Sequence, residues 1–315
     1  MRQLIRFIPP GGALVLVTHR CQQARFLLTP SRRLNQLAKA ILARAAKRAG
    51  VEVVAVVVFG NHIHLLLRVP NTHAMAQFMN YFAGNLAREA GRLHGWSGKF
   101  WHRQYSYSVV ADDEPSQVQV LRYLLSHGCK EDLVASPMHW PGLHPASMIL
   151  EGQVHRGVWV NRTGLCRAKN NRPVSPPKLE DYEEVEILEL AQLPCWADLP
   201  WEEYQAKVAS LVQDIEEETR ARHRRKGTRP LGRKKVLAQN PRRAPNQPKK
   251  GPAQLIISAS QAVKAAFEEA YRQVVAAYLA ASAKLRAGDR TVQFPEGTFP
   301  PALAYVRHGA EARAG

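Results

Sequence analysis

The sequence predicts an α+β fold: a ferredoxin-like βαββαβ sheet with helices on one face, followed by a mainly helical basic C-terminal extension. Three observations predict it. Short apolar runs of strand length alternate with apolar stripes of helical spacing through the first half of the chain. Cap and turn residues fall between them, and the second half changes from a polar, acidic composition to a strongly basic one.

The elements follow in order. Residues 13–18 form a candidate strand. Leu34, Leu37, Ala38, Ile41, Leu42 and Ala45 then recur at helical spacing between a Thr29-Pro30-Ser31 start and a Gly50 stop. Two strands are expected over 52–59 and 62–69. Met75, Phe78, Met79, Phe82, Leu86 and Leu93 mark a second helix after Asn71-Thr72, and residues 99–110 are rich enough in aromatics and valine for another strand. Asp112-Asp113-Glu114-Pro115 supplies an N-cap, early acids and a first-turn proline, so a third helix runs from there to Gly128. The resulting βαββαβ order is the ferredoxin-like arrangement.

A chain of 315 residues with 45% hydrophobic content can bury a sizeable core and carry an extension. Its net charge of +18 and pI near 10.1 draw it to phosphate backbones, which makes nucleic acid the first partner to consider. No run approaches the roughly 20 apolar residues that span a bilayer. Arg2, Arg6 and Pro9-Pro10-Gly11-Gly12 interrupt any signal-peptide core, so a cytoplasmic protein without a membrane partner is expected. Cys21, Cys129, Cys166 and Cys195 form no CxxC pair and read as reduced thiols.

The expected division is a catalytic domain over 1–150, an acidic, partly helical connector over 151–219, a basic Pro-rich arm over 220–252, and a C-terminal helix and tail over 253–315. The connector holds a helix around 201–218. Between residues 220 and 250 there are thirteen Lys or Arg and no acid. Arg224, Arg225, Lys226, Arg233, Lys234 and Lys235 are the candidate phosphate contacts of this flexible or partly helical arm. The last helix is expected over 255–286, with residues 294–301 as a tail docking back.

The chemistry concentrates in Asn61-His62-Ile63-His64. On a strand, residues i and i+2 share a face about 7 Å apart, so His62 and His64 project together while Ile63 points into the core. Such a pair can hold a divalent metal or work as acid and base. On the third helix Gln119, Tyr123 and His127 fall on one stripe beside the apolar stripe of Val118, Leu121 and Leu125. Were that stripe to pack beside the histidine strand, three imidazoles would surround one metal with open positions for a phosphate oxygen, and a phenol would stand alongside as nucleophile. A tyrosine with a pKa near 10 attacks phosphorus only when the phosphate is polarised and the phenol activated. In the strand expected over 99–110, Trp101, Arg103, Tyr105 and Tyr107 would share a face, which suits bases stacking on rings while arginine meets phosphate.

The chain resembles the single-tyrosine HUH transposases of small insertion sequences, above all their REP-associated branch. The likeness runs over residues 13–147, through Val17-Thr18-His19-Arg20, Gly60-Asn61-His62-Ile63-His64-Leu65-Leu66, Phe100-Trp101-His102-Arg103-Gln104-Tyr105 and Leu121-Arg122-Tyr123-Leu124-Leu125-Ser126-His127. By that resemblance His62, His64 and His127 hold Mg2+ or Mn2+. Tyr123 is the nucleophile that forms a 5′-phosphotyrosine link to single-stranded or hairpin DNA, and Arg20, Arg103 and Tyr105 join the nucleic-acid contacts. The resemblance also implies a possible homodimer. The chain departs from the REP-associated pattern at His127-Gly128, where that group usually has Asn-Pro, and three imidazoles suit zinc or manganese better than magnesium. Two other readings stand beside it. One is a domesticated, catalytically weak protein that holds hairpin DNA or RNA. The other is a metal-free two-histidine phosphoesterase, whose known forms need a histidine where Leu66 stands or a second H-x-[ST] repeat, and the sequence has neither.

Overall fold

A computed structural model describes residues 5–171, 175–246 and 254–301. The protein is of mixed α+β class, built on a five-stranded mixed sheet. The sheet is formed by β1 (Ala13–Arg20), β2 (Glu52–Val58), β3 (His62–Val69), β4 (Ser106–Val110) and the short β7 (Ile256–Ile257), in the order β2-β3-β1-β4-β7. The first four strands pair antiparallel and β7 adds parallel to β4. Two crossover helices join them. The first, α1 (Arg32–Ala49), is capped by the Ser31 hydroxyl on Leu34 N–H and stopped by Gly50 in left-handed backbone; the second, α2 (Thr72–His94), is capped by Asn71.

Strand alternation sets the layers. Ile63, Leu65 and Leu67 are fully buried on one face of β3, toward the layer of α1 and α2, which pack on each other. His62, His64 and Leu66 point the other way, where α3 (Glu114–Lys130) lies with Val120, Leu121, Leu124 and Leu125 buried. The sheet is therefore covered on both faces rather than one. The reason is that α3 carries an apolar stripe of its own and must bury it.

Residues 99–105 do not extend β4 as expected. They cross the end of β1: Gln22 N–H donates to Phe100 O, Cys21 bridges to Trp101, and His102 N–H donates to Arg20 O. Trp101, Arg103, Tyr105 and Tyr107 consequently do not form one stacking face. The Trp101 indole stacks on His19 at 4.1 Å and donates to Ala83 O, while the buried Tyr107 hydroxyl bonds Phe7 N and O.

Later stretches pack onto this sheet and its helices. An antiparallel pair of β5 (Val154–Val160) and β6 (Glu183–Glu189), absent from the sequence reading, lies on α1. Gly157 makes that approach possible, since a Cβ there would stand 2.2 Å from Ala40 N. Between β5 and β6 is α5 (Arg162–Asn170), and α4 (Pro145–Glu151) precedes them. The helix expected over 201–218 is longer: α6 (Trp201–Lys226) takes in the first basic residues and lies along α3 and α4, burying Tyr204, Val208, Val212, Ile215 and Thr219. After the short α7 (Arg233–Leu237), residues 239–243 bond along the 25–29 loop. The last helix, α8 (Gln261–Arg286), begins later than expected, because residues 255–257 are drawn out to pair with β4. The tail does dock back, with Gly297 O accepting from Ile8 N–H and Phe299 packed on His73. Residues 247–252 of the basic arm, with 253 and 302–315 of the C-terminal segment, lie outside the described residues.

Candidate active site: three imidazoles and a phenol

The β2–β3 turn presents the histidine pair. Gly60 O and Asn61 O accept from Leu28 and Cys21 N–H, tying the turn to the loop that follows β1. From the facing helix, Tyr123 and His127 stand one turn apart, aimed by the Asp113 cap at the helix start and by close packing at its end. Phe59 stacks on Trp140 at 4.1 Å and lies 4.3 Å from the His127 ring, and the Trp140 indole donates to Val58 O.

The structure brings His62, His64 and His127 together. One ring nitrogen from each lies within 4.8 Å of the others. His62 Nε2 and His127 Nε2 are 2.7 Å apart. The Tyr123 ring centroid is 5.6 Å from those of both His64 and His127, and Lys130 Nζ is 5.3 Å from the Tyr123 ring. Tyr123 thus stands at the edge of the cluster.

The outward nitrogens of the pair on β3 have fixed partners. His62 Nδ1 meets Asn61 Oδ1 at 2.7 Å, which makes Nδ1 the donor and leaves a lone pair on Nε2. His64 Nδ1 meets Thr18 Oγ1 at 2.9 Å, across the β1–β3 register that pairs Thr18 with His64. Burial holds both rings well below the usual histidine pKa; the neighbouring His127 adds to this at His62, and His62 and then His127 at His64, with Arg20 contributing last in each. Both are therefore neutral at pH 7. Neutral imidazoles with inward lone pairs can hold a divalent cation. His144, the N-cap of α4, is another buried imidazole near His127, and burial lowers its pKa to about 3.

Beside the cluster a cleft of about 1080 Å³ opens between the β1–β4 side of the sheet and α3. Thr18, Arg20, His64, Arg103, Gln119 and Tyr123 are among its lining residues. Of the expected nucleic-acid contacts, Arg20 and Arg103 thus reach the cleft. Tyr105 is not among its lining residues: Arg6 lies over its ring at 4.1 Å and bonds its hydroxyl. Arg224, Arg225 and Lys226 are exposed at the end of α6, and Arg233, Lys234 and Lys235 on α7, outside the cleft lining.

Sequence reasoning missed Thr18, Asn61 and the clamp on α3. Arg222 of α6 donates to Cys129 O at 2.6 Å and to Asp132 Oδ1 at 2.9 Å, covering the last turn of the helix that carries Tyr123 and His127. The position of Thr18 was recoverable from strand pairing. The clamp was not, because it depends on how two helices far apart in sequence meet.

Residues 17–126 match the family model described as "Transposase IS200 like". The ISDra2 transposase TnpA of Deinococcus radiodurans is 29% identical over 99 residues, which cover 30% of this chain and 69% of that protein. Among solved structures, a REP-associated tyrosine transposase bound to a REP hairpin aligns with a TM-score of 0.37 and 15% identity, over 45% of this chain and 81% of the other. A second, described as a transposase from D. radiodurans R1, aligns with a TM-score of 0.28 and 21% identity, over 38% and 94%. The likeness to the IS200-like, single-tyrosine transposases expected from the motifs is thus found independently over residues 17–126. Among the described residues no helix is long and apolar enough to cross a membrane.

Proposed function

We propose that this protein is a metal-dependent transposase that cleaves and rejoins single-stranded DNA. His62, His64 and His127 are the metal ligands and Tyr123 is the nucleophile. The observation that carries the reading is the convergence of three ring nitrogens within 4.8 Å, with the Tyr123 ring beside them at the cleft. The match of residues 17–126 to IS200-like transposases supports a DNA-cutting and joining enzyme.

When bound, a divalent cation such as Mg2+ or Mn2+ would polarise the scissile phosphate. The chain's own residues supply the rest. The Tyr123 hydroxyl oxygen attacks phosphorus; the new O–P bond replaces the bond to the 3′ oxygen, which leaves as a 3′-hydroxyl carrying the proton lost by the phenol. The 5′ end remains as a phosphotyrosine, and a free 3′-hydroxyl reverses the step on another strand without ATP. Arg20 and Arg103 hold the flanking phosphates in the cleft, and the exposed arginines and lysines of α6 and α7 add non-specific, salt-sensitive affinity for hairpin DNA. On the same reading residues 1–150 are the catalytic domain, a βαββαβ unit that we read as ferredoxin-like from its 2-3-1-4 strand order, and the later stretches brace it.

The test is a suicide assay. A labelled single-stranded hairpin oligonucleotide with Mn2+ yields a covalent adduct stable to denaturant, and Tyr123→Phe abolishes it. Tight binding with no adduct at any divalent metal would instead establish the domesticated DNA- or RNA-holding protein, a reading to which the His127-Gly128 departure gives substance.

A further inference from the structure

We infer that the pocket at the C-terminal end of α2 is a second single-stranded DNA subsite, in which Trp96 stacks one unpaired base while Arg25, Arg88 and Arg242 hold the neighbouring phosphates. It rests on the strand-transfer reading, because it receives the same strand as it leaves the cleft.

The pocket has a volume of about 600 Å³ and is lined by Arg88, Gly91, Arg92, Trp96, Gly98 and Phe100, with Ala87, Gly95 and Ser97 completing the wall. Its central ring is Trp96, half-buried and presented by a turn that leaves α2 through Gly95 in left-handed backbone. Gly98 runs close to one edge of the indole, where a Cβ would stand 3.3 Å from Trp96 Cζ2, so only a glycine fits there without pressing on the ring. The indole N–H is used internally, donating to Lys99 O. The rest of the ring is half-exposed in the pocket. A half-exposed indole is a surface on which any base can stack.

The charges around it are unbalanced. Arg25 lies over the indole at 5.4 Å from the ring centroid. The side-chain partners of Arg25, Arg88 and Arg242 here are neutral oxygens: Gln23 Oε1 and Arg242 O, Asn85 Oδ1, and Gly95 O. The nearby acid, Glu89, is 4% exposed and already paired with Arg92 and Arg162. Three guanidinium groups thus lie around an aromatic ring with no carboxylate paired to them among the described residues, which is the composition of a single-strand phosphate track.

The pocket neighbours the cleft along the chain. Gln23 and Ala24 line the cleft, and the next residue, Arg25, covers Trp96. The turn between them runs through left-handed backbone at Gln23 and Ala24, and Gln22 N–H is bonded to Phe100 O in the pocket wall. A strand passing over that turn moves from the phosphotyrosine site to the indole. Residues 242 and 243, from the basic stretch, brace the same turn: Arg242 O accepts from Arg25 and Arg243 O from Phe26 N–H.

Binding of single-stranded oligonucleotides of two lengths tests this, one of about 5 nucleotides that fills the cleft and one of about 12 that reaches beyond it. In the full-length protein the long-to-short affinity ratio falls about tenfold on Trp96→Ala and is kept by Trp96→Phe. Arg25→Ala and Arg242→Ala each reduce the salt slope for the long oligonucleotide by about 0.7. Ultraviolet cross-linking places an adduct on the peptide containing Trp96 with the long oligonucleotide alone. An unchanged ratio in Trp96→Ala, with the Mn2+-dependent Tyr123 adduct still formed, overturns the subsite and leaves the strand-transfer reading standing. A wild-type chain that binds neither oligonucleotide overturns both.

Discussion

His62 Nε2 and His127 Nε2 stand 2.7 Å apart, one from a strand and one from a helix 65 residues later. Since Asn61 Oδ1 fixes the proton of His62 on Nδ1, the hydrogen shared between the two Nε2 atoms belongs to His127. A cation held by both rings would need the Nε2 lone pair of each, so on the proposed reading His127 would carry its proton on Nδ1 when metal is bound.

Three imidazoles form a nitrogen-only donor set, which binds borderline ions better than Mg2+ with its preference for oxygen. Titration calorimetry on the wild type is expected to show binding of Mn2+ and Zn2+ at least tenfold tighter than Mg2+. His127→Asn, which offers an amide oxygen, narrows that gap. Equal affinities for Mg2+ and Mn2+ in both proteins would show that the third imidazole does not take part.

The Thr18 hydroxyl bonds His64 Nδ1, and it is the group most directly placed to orient that ring. Thr18→Val keeps the shape and removes the hydroxyl. Loss of an outer partner of this kind typically weakens metal affinity about 10–100-fold. Thr18→Ser restores it. Thermal melts without metal separate this from a packing defect, since the Val variant should melt close to wild type.

Much of this site was legible before the structure. His62 and His64 shared a face because strand alternation requires it, and Tyr123 and His127 fell on one stripe because a helix repeats every 3.6 residues. Local periodicity fixed these positions. It failed over residues 99–105, where apolar and aromatic content imitates a strand but the backbone bonds to the end of β1. It failed again at the β5–β6 pair, where the alternation is inverted: Val185 and Ile187 are exposed while Glu184 and Glu186 pair with Arg44 of α1. The clamp of Arg222 on α3 and the bracing of the 22–26 turn by residues 242–243 join segments about 90 and 220 positions apart, and short-range pattern carries no information about such meetings.

Gly128 follows His127 because nothing larger fits there. A Cβ at that position would lie 2.9 Å from Val134 Cγ2 and 3.5 Å from the Trp140 ring. Gly128→Ala should therefore destabilise the protein by about 1–3 kcal/mol through overpacking, despite the better helix propensity of alanine. Val134→Ala opens the required space. In urea denaturation the double variant is expected to be more stable than the sum of the two single costs; strict additivity would show that the contact with Val134 is not what excludes a side chain.

Acid should unfold this protein through its buried imidazoles as well as its carboxylates. Burial, partly opposed by a bond to Arg103 O, lowers the pKa of His19 to about 4, and burial lowers that of His144 to about 3, against an ordinary value of 6.5. The unfolded chain therefore takes up protons below pH 6.5 that the folded chain refuses. Stability is fully present above that value and falls as the pH drops toward 4 for His19 and 3 for His144, by up to about 1.4 kcal/mol per pH unit for each group. Urea midpoints measured between pH 7.5 and 5 are expected to decline on this account, before most carboxylates titrate. His144→Gln, which keeps a polar side chain at the N-cap, should flatten the decline between pH 6.5 and 5, and a slope unchanged by that substitution would show that His144 is not one of the groups refusing the proton.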